Sequence, residues 1–316
     1  MEQNDKKSNR VVRRNPFYPL ERRGFASLGD IAALMLIFLL SSLVSGFVVR
    51  LMGCAMPEVV DSQLLYPSDW DLTTCITYVV QMALMLSLTL LYRHLRGSHG
   101  PLARLSLRGL NPLLILGGIV VMLSMSVVME PLLGLVDAEQ LPMPDPGEGA
   151  WTILSVVVLA PLCEEFLCRG ILLEGLRSRY GVTVALLGSS FFFAVIHLHP
   201  VMALNAFVLG LFFGILALRT DSLWPSILLH SFNNAVALLL MRTEFPGERF
   251  DGRPMSELGL SEMISDPSTY WIVFGVAVLI CLRAAIVSIR RLNRVALENA
   301  LRVHADHMAR AEGEAQ

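Results

Sequence analysis

The sequence predicts an all-α, polytopic integral membrane protein with about eight transmembrane helices and both termini cytoplasmic. Three observations predict it. Hydrophobic residues make up 54% of the 316 residues and charged residues only 16%, where an ordinary soluble domain carries about 25% charged residues. The mean hydropathy is +0.59. The apolar residues gather in runs of about 20 residues, most of them uncharged, enough to cross roughly 30 Å of hydrocarbon as a helix.

In chain order the runs are Ile31–Val49, Leu72–Tyr92, Gly109–Met129, Ala150–Cys168, a long stretch Tyr180–Leu218, Ser222–Met241 and Pro267–Ile289. Tyr180–Leu218 contains no Asp, Glu, Lys or Arg. It reads as two spans broken at "HLHP", because Pro200 cannot continue a helix that arrives from its N-terminal side. Residues 291–316 read as a polar helical tail. The first run is too long for the apolar part of a signal peptide and lacks a small-residue cleavage site, so a cleaved leader is not expected.

Orientation follows from Lys and Arg in the short loops. Lys6, Lys7, Arg10, Arg13, Arg14, Arg22 and Arg23 precede the first run. Arg93, Arg96, Arg104 and Arg108 follow the second, Arg177 and Arg179 the fourth, and Arg290 and Arg291 the last. The intervening loops are acidic, with Glu58, Asp61, Asp69 and Asp71, then Asp137, Glu139, Asp145 and Glu148. The basic residues are thus shared among all the cytoplasmic segments. With a net charge of -2 they do not describe a nucleic-acid surface, and the expected partner is the lipid bilayer. Of five cysteines, Cys163, Cys168 and Cys281 fall in apolar runs as packing residues, whereas spacing leaves open whether Cys54 and Cys75 pair.

The segment 150–241 holds nearly all the intramembrane polar groups, which divides the chain into 1–149, 150–241 and 242–316. A charge at mid-membrane costs on the order of 2.5–3.5 kcal/mol on insertion scales. "PLCEEFLCRG" therefore raises a question with Glu164, Glu165 and Arg169. Glu165 and Arg169, four apart, share a helix face and explain each other as an ion pair. Glu164 points about 100° away and needs a different partner. "FAVIH" supplies Phe193 and His197, and "HSFNN" supplies His230 and Asn234. Between them "FVLGLFFG" puts Gly210 and Gly214 on one stripe, the small-xxx-small pattern that lets helices approach closely. Measured from the turn at Arg179–Gly181, Glu164 and His197 both lie about 25 Å along their helices, so the groups can share one cavity.

Such an inventory suits hydrolysis of an acyl bond. A carboxylate in apolar surroundings is suited to act as general base near neutral pH, and imidazole or amide N–H groups can stabilise an oxyanion. A glutamate with two histidines also fits an open zinc site. The sequence has no HExxH helix, which excludes the common zincin layout, and no G-x-S-x-G turn, which weakens schemes with a covalent nucleophile.

The ordered set EExxxR (Glu164, Glu165, Arg169), FxxxH (Phe193, His197), FxxGxxxG (Phe207, Gly210, Gly214) and HxxxN (His230, Asn234) resembles the CAAX protease and bacteriocin-processing family. These are intramembrane endopeptidases related to the type II CAAX prenyl proteases. The resemblance covers roughly residues 150–240. It implies that Glu164, assisted by His197, activates water, that His230 and Asn234 stabilise the oxyanion, and that Glu165 and Arg169 support the site. It leaves two mechanisms open, a metal-free glutamate mechanism and one using a divalent ion such as zinc, which Glu164, His197 and His230 would hold. The substrate expected is a peptide or membrane-protein segment and the location a bacterial cytoplasmic membrane. The competing readings are a proteolytically silent scaffold or immunity protein of the same family, and a transporter. The transporter reading is disfavoured because the break at Pro200 has no counterpart in a second repeat.

Overall fold

A computed structural model describes residues 25–60, 63–97, 105–107, 110–136, 145–244 and 254–314. Lys6 through Arg23, Asp61, Arg104, Arg108, Asp137 and Glu139 lie outside them.

The protein is all-α, and among the described residues the strands are one small antiparallel hairpin, Glu58–Val60 with Gln63–Leu65, in the first expected outer loop. Eight helical segments follow the eight expected runs. They are α1 (Leu28–Leu51), α2 (Trp70–Leu95), α3 (Pro112–Leu133), α4 (150–180, in five consecutive pieces), α5 (Val182–Val195), α6 (Pro200–Thr220), α7 (Trp224–Arg242) and α8 (Pro267–Glu314). Among the described residues six helices are long and apolar enough to cross a membrane: α1, α2, α3, α6, α7 and the first half of α8. In a bilayer every backbone polar group must be satisfied internally, and helices do that within one segment. Leu43 (72% exposed), Trp271 (63%) and Leu279 (66%) sit on outer faces, where lipid is the solvent that fits them.

Local chemistry sets the helix ends. Ser27 and Asp30 form a capping box at the start of α1, with Asp30 Oδ2 accepting from Ser27 N–H at 2.6 Å. Asp30 is buried and also accepts from Tyr92 Oη at 2.7 Å and pairs with Arg96 Nε at 3.3 Å. One carboxylate thereby caps α1 and ties it to the end of antiparallel α2. Asn111 caps α3 by accepting from Leu113 N–H at 2.9 Å, with Pro112 at the first helical position, where no N–H is needed. Gly181, at φ 86°, makes the one-residue reversal between α4 and α5, which a side chain would strain. α8 runs without a break from the expected span into the polar tail.

Two departures from the expected spans matter for function. α4 is not a plain α-helix: Ile153–Leu159 and Phe166–Leu173 are π-wound, on either side of the α-wound Ala160–Glu165. π-turns inside helices are frequent at functional sites because they re-aim side chains. α5 has only 14 residues, about 21 Å of helix. It stops short of a full span because the chain turns at 196–199 before Pro200 opens α6. That turn places Leu198 at φ 57°, a left-handed conformation uncommon for a bulky residue.

Two of three apolar clusters make up most of the core. One joins α1, α2, α4 and α5 through Leu34, Met85, Leu172, Leu176 and Phe192. The other joins α3, α6 and α7 through Met122, Leu209, Phe213 and Leu229. Gly210 and Gly214 pack α6 directly on α5. A Cβ on Gly210 would lie 3.0 Å from Ser190 Cβ and 3.1 Å from its Cα, and one on Gly214 would lie 2.7 Å from Leu186 Cδ2. The stripe serves the close approach expected of it, with the fifth helix as its neighbour. Cys54 and Cys75 are free thiols.

Candidate active site

α4 presents Glu164 and Glu165 at the junction of its α and second π stretch, and α7 inserts His230 against both. His230 Nδ1 lies 3.1 Å from Glu165 Oε1, and its Nε2 lies 3.8 Å from Glu164 Oε2. A carboxylate only accepts, so Nδ1 carries the hydrogen of that bond, and a neutral ring then presents a lone pair at Nε2 toward Glu164. The imidazole is held from the sides as well. It stacks on Phe213 with centroids 5.2 Å apart and meets the edge of Phe193 at 5.5 Å.

Glu165 and Arg169 form the expected pair, with Nη1 donating to Oε1 at 2.7 Å and both side chains fully buried. A buried pair is firmer the more of its remaining hydrogens are used, and of the Arg169 nitrogens Nε alone has no partner among the described residues. Arg169 Nη2 donates to the Gly210 carbonyl at 2.9 Å, and the guanidinium lies 4.5 Å from the Phe193 ring centre. Gly210 thus does two things: lacking a side chain, it lets α6 close on α5, and its carbonyl accepts from the site's arginine.

Glu164, 9% exposed, accepts from Tyr78 Oη at 3.3 Å through Oε1. Tyr78 belongs to α2, outside the segment that carries the motifs. Its sequence signal is slight: a phenol in the middle of an apolar run, with nothing in its spacing to link it to Glu164. The second carboxylate oxygens, Glu164 Oε2 and Glu165 Oε2, are buried acceptors without a protein donor. Polar atoms of this kind in a membrane interior point to a place where solvent or substrate is handled.

The remaining sequence-predicted residues sit around this centre. His197 lies just beyond the end of α5, and its Nδ1 bonds the Phe193 carbonyl at 2.7 Å. A carbonyl only accepts, so Nδ1 donates and a neutral ring keeps its lone pair on Nε2. Phe193 stands between the two histidines, 4.9 Å from His197 and 5.5 Å from His230 by ring centroids. Asn234, one turn beyond His230, donates from Nδ2 to the Val156 carbonyl at 2.9 Å. In the π-wound stretch that carbonyl would bond the residue five positions on, which is Pro161 and has no N–H. Asn234 supplies the missing donor, so it locks α7 onto α4 beside the glutamates. Its amide keeps a second N–H.

Among the described residues no three His, Cys, Asp or Glu side chains group as metal ligands. Glu164, His197 and His230, the set considered for zinc, are not among such a group: His197 lies across the Phe193 ring and gives its Nδ1 to the Phe193 carbonyl, while His230 keeps Nε2 free toward Glu164. The arrangement as it stands offers a carboxylate base, an imidazole oriented by a second carboxylate, and a phenol fixing the base.

Comparison with known proteins agrees with the geometry. No curated protein and no solved structure matches the chain. Residues 146–236 match the model of one family, the type II CAAX prenyl endopeptidases, Rce1-like. That segment contains all of Glu164, Glu165, Arg169, His197, Gly210, His230 and Asn234, and over it the chain is similar to the type II CAAX prenyl endopeptidases.

Proposed function

We propose that the protein hydrolyses a peptide bond of a peptide or membrane-protein substrate by attack of a water held between Glu164 and His230. The observation that carries this is the 3.8 Å gap from Glu164 Oε2 to His230 Nε2, too long for a direct hydrogen bond and suited to a bridging oxygen. The water donates toward both acceptors and its free lone pair attacks the scissile carbonyl carbon. Glu164 Oε2 takes the proton as the C–O bond forms. The tetrahedral intermediate then expels the amine, and Glu164 returns that proton to the leaving nitrogen as the C–N bond breaks. Glu165 fixes the His230 tautomer, Arg169 fixes Glu165, and Tyr78 orients Glu164. The free N–H of Asn234, and His197 when protonated, are the nearby donors for the oxyanion. This assignment pairs Glu164 with His230, whereas the family resemblance alone pairs it with His197. No step is routed through a metal. The loop charges support cytoplasmic termini, and the membrane we propose is a bacterial cytoplasmic one.

The test compares membrane proteomes from cells carrying the wild-type chain and Glu164→Gln, reading new peptide ends. The amide keeps the shape of the carboxylate and loses the base. Substrates should accumulate uncut, and purified protein should be active without added metal. Unchanged peptide ends and unchanged cellular function would instead make the chain a silent scaffold.

A further inference from the structure

A second feature lies on the other side of α6. Gly210 and Phe213 face Arg169 and His230, whereas Leu211, Phe212 and Ile215 look away from them, into an open cavity of about 450 Å³ flanked by α3 and α8. Leu114 and Gly117 of α3 and Ala284 of α8 complete its apolar wall. This volume falls within the roughly 300–1,000 Å³ of small-ligand sites. A protein helix about 10 Å wide would fill it with roughly one turn, so the space suits a flexible chain better than a helix.

One end of the cavity is polar. Arg219, in the last turn of α6, lines it together with Ser288 of α8 and donates to Ser288 Oγ at 3.1 Å. Arg219 Nε is buried without a partner, and no carboxylate pairs with this guanidinium among the described residues. The charge of Arg291 also acts on Arg219, so the two cations repel each other. The start of α3, the end of α6 and the end of the α8 span all lie at this end, which the loop charges assign to the cytoplasmic surface. Anionic phospholipid headgroups are concentrated at such a surface and attract basic residues.

We propose that this cavity is a binding site for an anionic phospholipid, one acyl chain lying between α3, α6 and α8 and the phosphate between Arg219 and Arg291. The lipid supplies the negative charge that the protein does not, and its chain fills the space the three helices leave. The site is separate from the catalytic centre, so it stands or falls independently of the peptidase reading.

Native mass spectrometry of delipidated, full-length protein in detergent tests it, with phosphatidylglycerol titrated against phosphatidylcholine. The wild type should retain phosphatidylglycerol preferentially. Losing one basic headgroup contact weakens binding on the order of fivefold, so Arg219→Gln should remove much of that preference. Gly117→Leu fills the cavity from a position where an added Cβ meets nothing within 4 Å. It should lower retention of both lipids while leaving the melting temperature unchanged. If Arg219→Gln does not fold, Gly117→Leu decides alone. Equal retention of the two lipids by the wild type, retention unaffected by Gly117→Leu, or displacement of the lipid by inorganic phosphate at equal concentration would overturn the proposal.

Discussion

Tyr78 and Glu164 stand 86 positions apart in the chain and meet in the membrane interior, the phenol donating to Oε1 at 3.3 Å. The contact brings α2 into a centre whose other members all come from α4, α5, α6 and α7. It also leaves Glu164 with one oxygen held by the phenol and the other turned toward His230.

Tyr78→Phe removes that donor and little else. A hydrogen bond to a charged group is worth about 1.5–3 kcal/mol, so kcat should fall about ten- to a hundredfold. KM should change little, because the phenol orients the base and does not touch substrate. Steady-state cleavage of a peptide substrate in detergent checks it. A change confined to KM would make Tyr78 a substrate contact.

Arg169→Ala takes the guanidinium from Glu165 and leaves it the His230 ring N–H alone as partner among the described residues. Breaking a buried pair costs about 3–5 kcal/mol, so both melting temperature and membrane protein level should drop. Arg169→Lys keeps the charge but not the two-pronged reach to Glu165 and the Gly210 carbonyl, and should recover only part of the loss. An inactive Arg169→Ala protein that melts like wild type would move Arg169 from support to substrate binding.

Asn234→Ala separates two roles of one amide. If its bond to Val156 is the main one, an unsatisfied carbonyl beside Pro161 should cost about 1–3 kcal/mol of stability and shift the melting curve. If its second N–H also serves the oxyanion, kcat should fall by a further factor of about 10²–10³. Thermal melts and kcat measured on one preparation resolve the two. A melt unchanged from wild type would rule out the structural role.

Cysteine-accessibility labelling checks the orientation. Cysteines at Arg96 and Arg290 should be reached from the cytoplasmic side, and one at Asp145 from the opposite side. Labelling of positions 145 and 290 from the same face would break the alternation on which the topology rests.

The sequence by itself determined the membrane class, the order of the helices and which of them carry intramembrane polar groups. Each of these depends on local composition: uncharged length decides a span, and a charge inside one is costly enough to be informative. The Glu165–Arg169 pair was also legible, because four positions on a helix is a distance as well as a spacing. The tertiary structure decided the partnerships. Glu164 faces His230 and Tyr78 where the helix spacing and the resemblance suggested His197. Two π-wound stretches re-aim α4, and such turns leave no mark in hydrophobic periodicity. Asn234 turns its amide to Val156 because Pro161, five positions beyond that carbonyl, has no N–H to give it. Contacts of this kind depend on which helices lie side by side, and in a bilayer close packing and hydrogen bonding between faces set that arrangement, which an apolar pattern alone does not record.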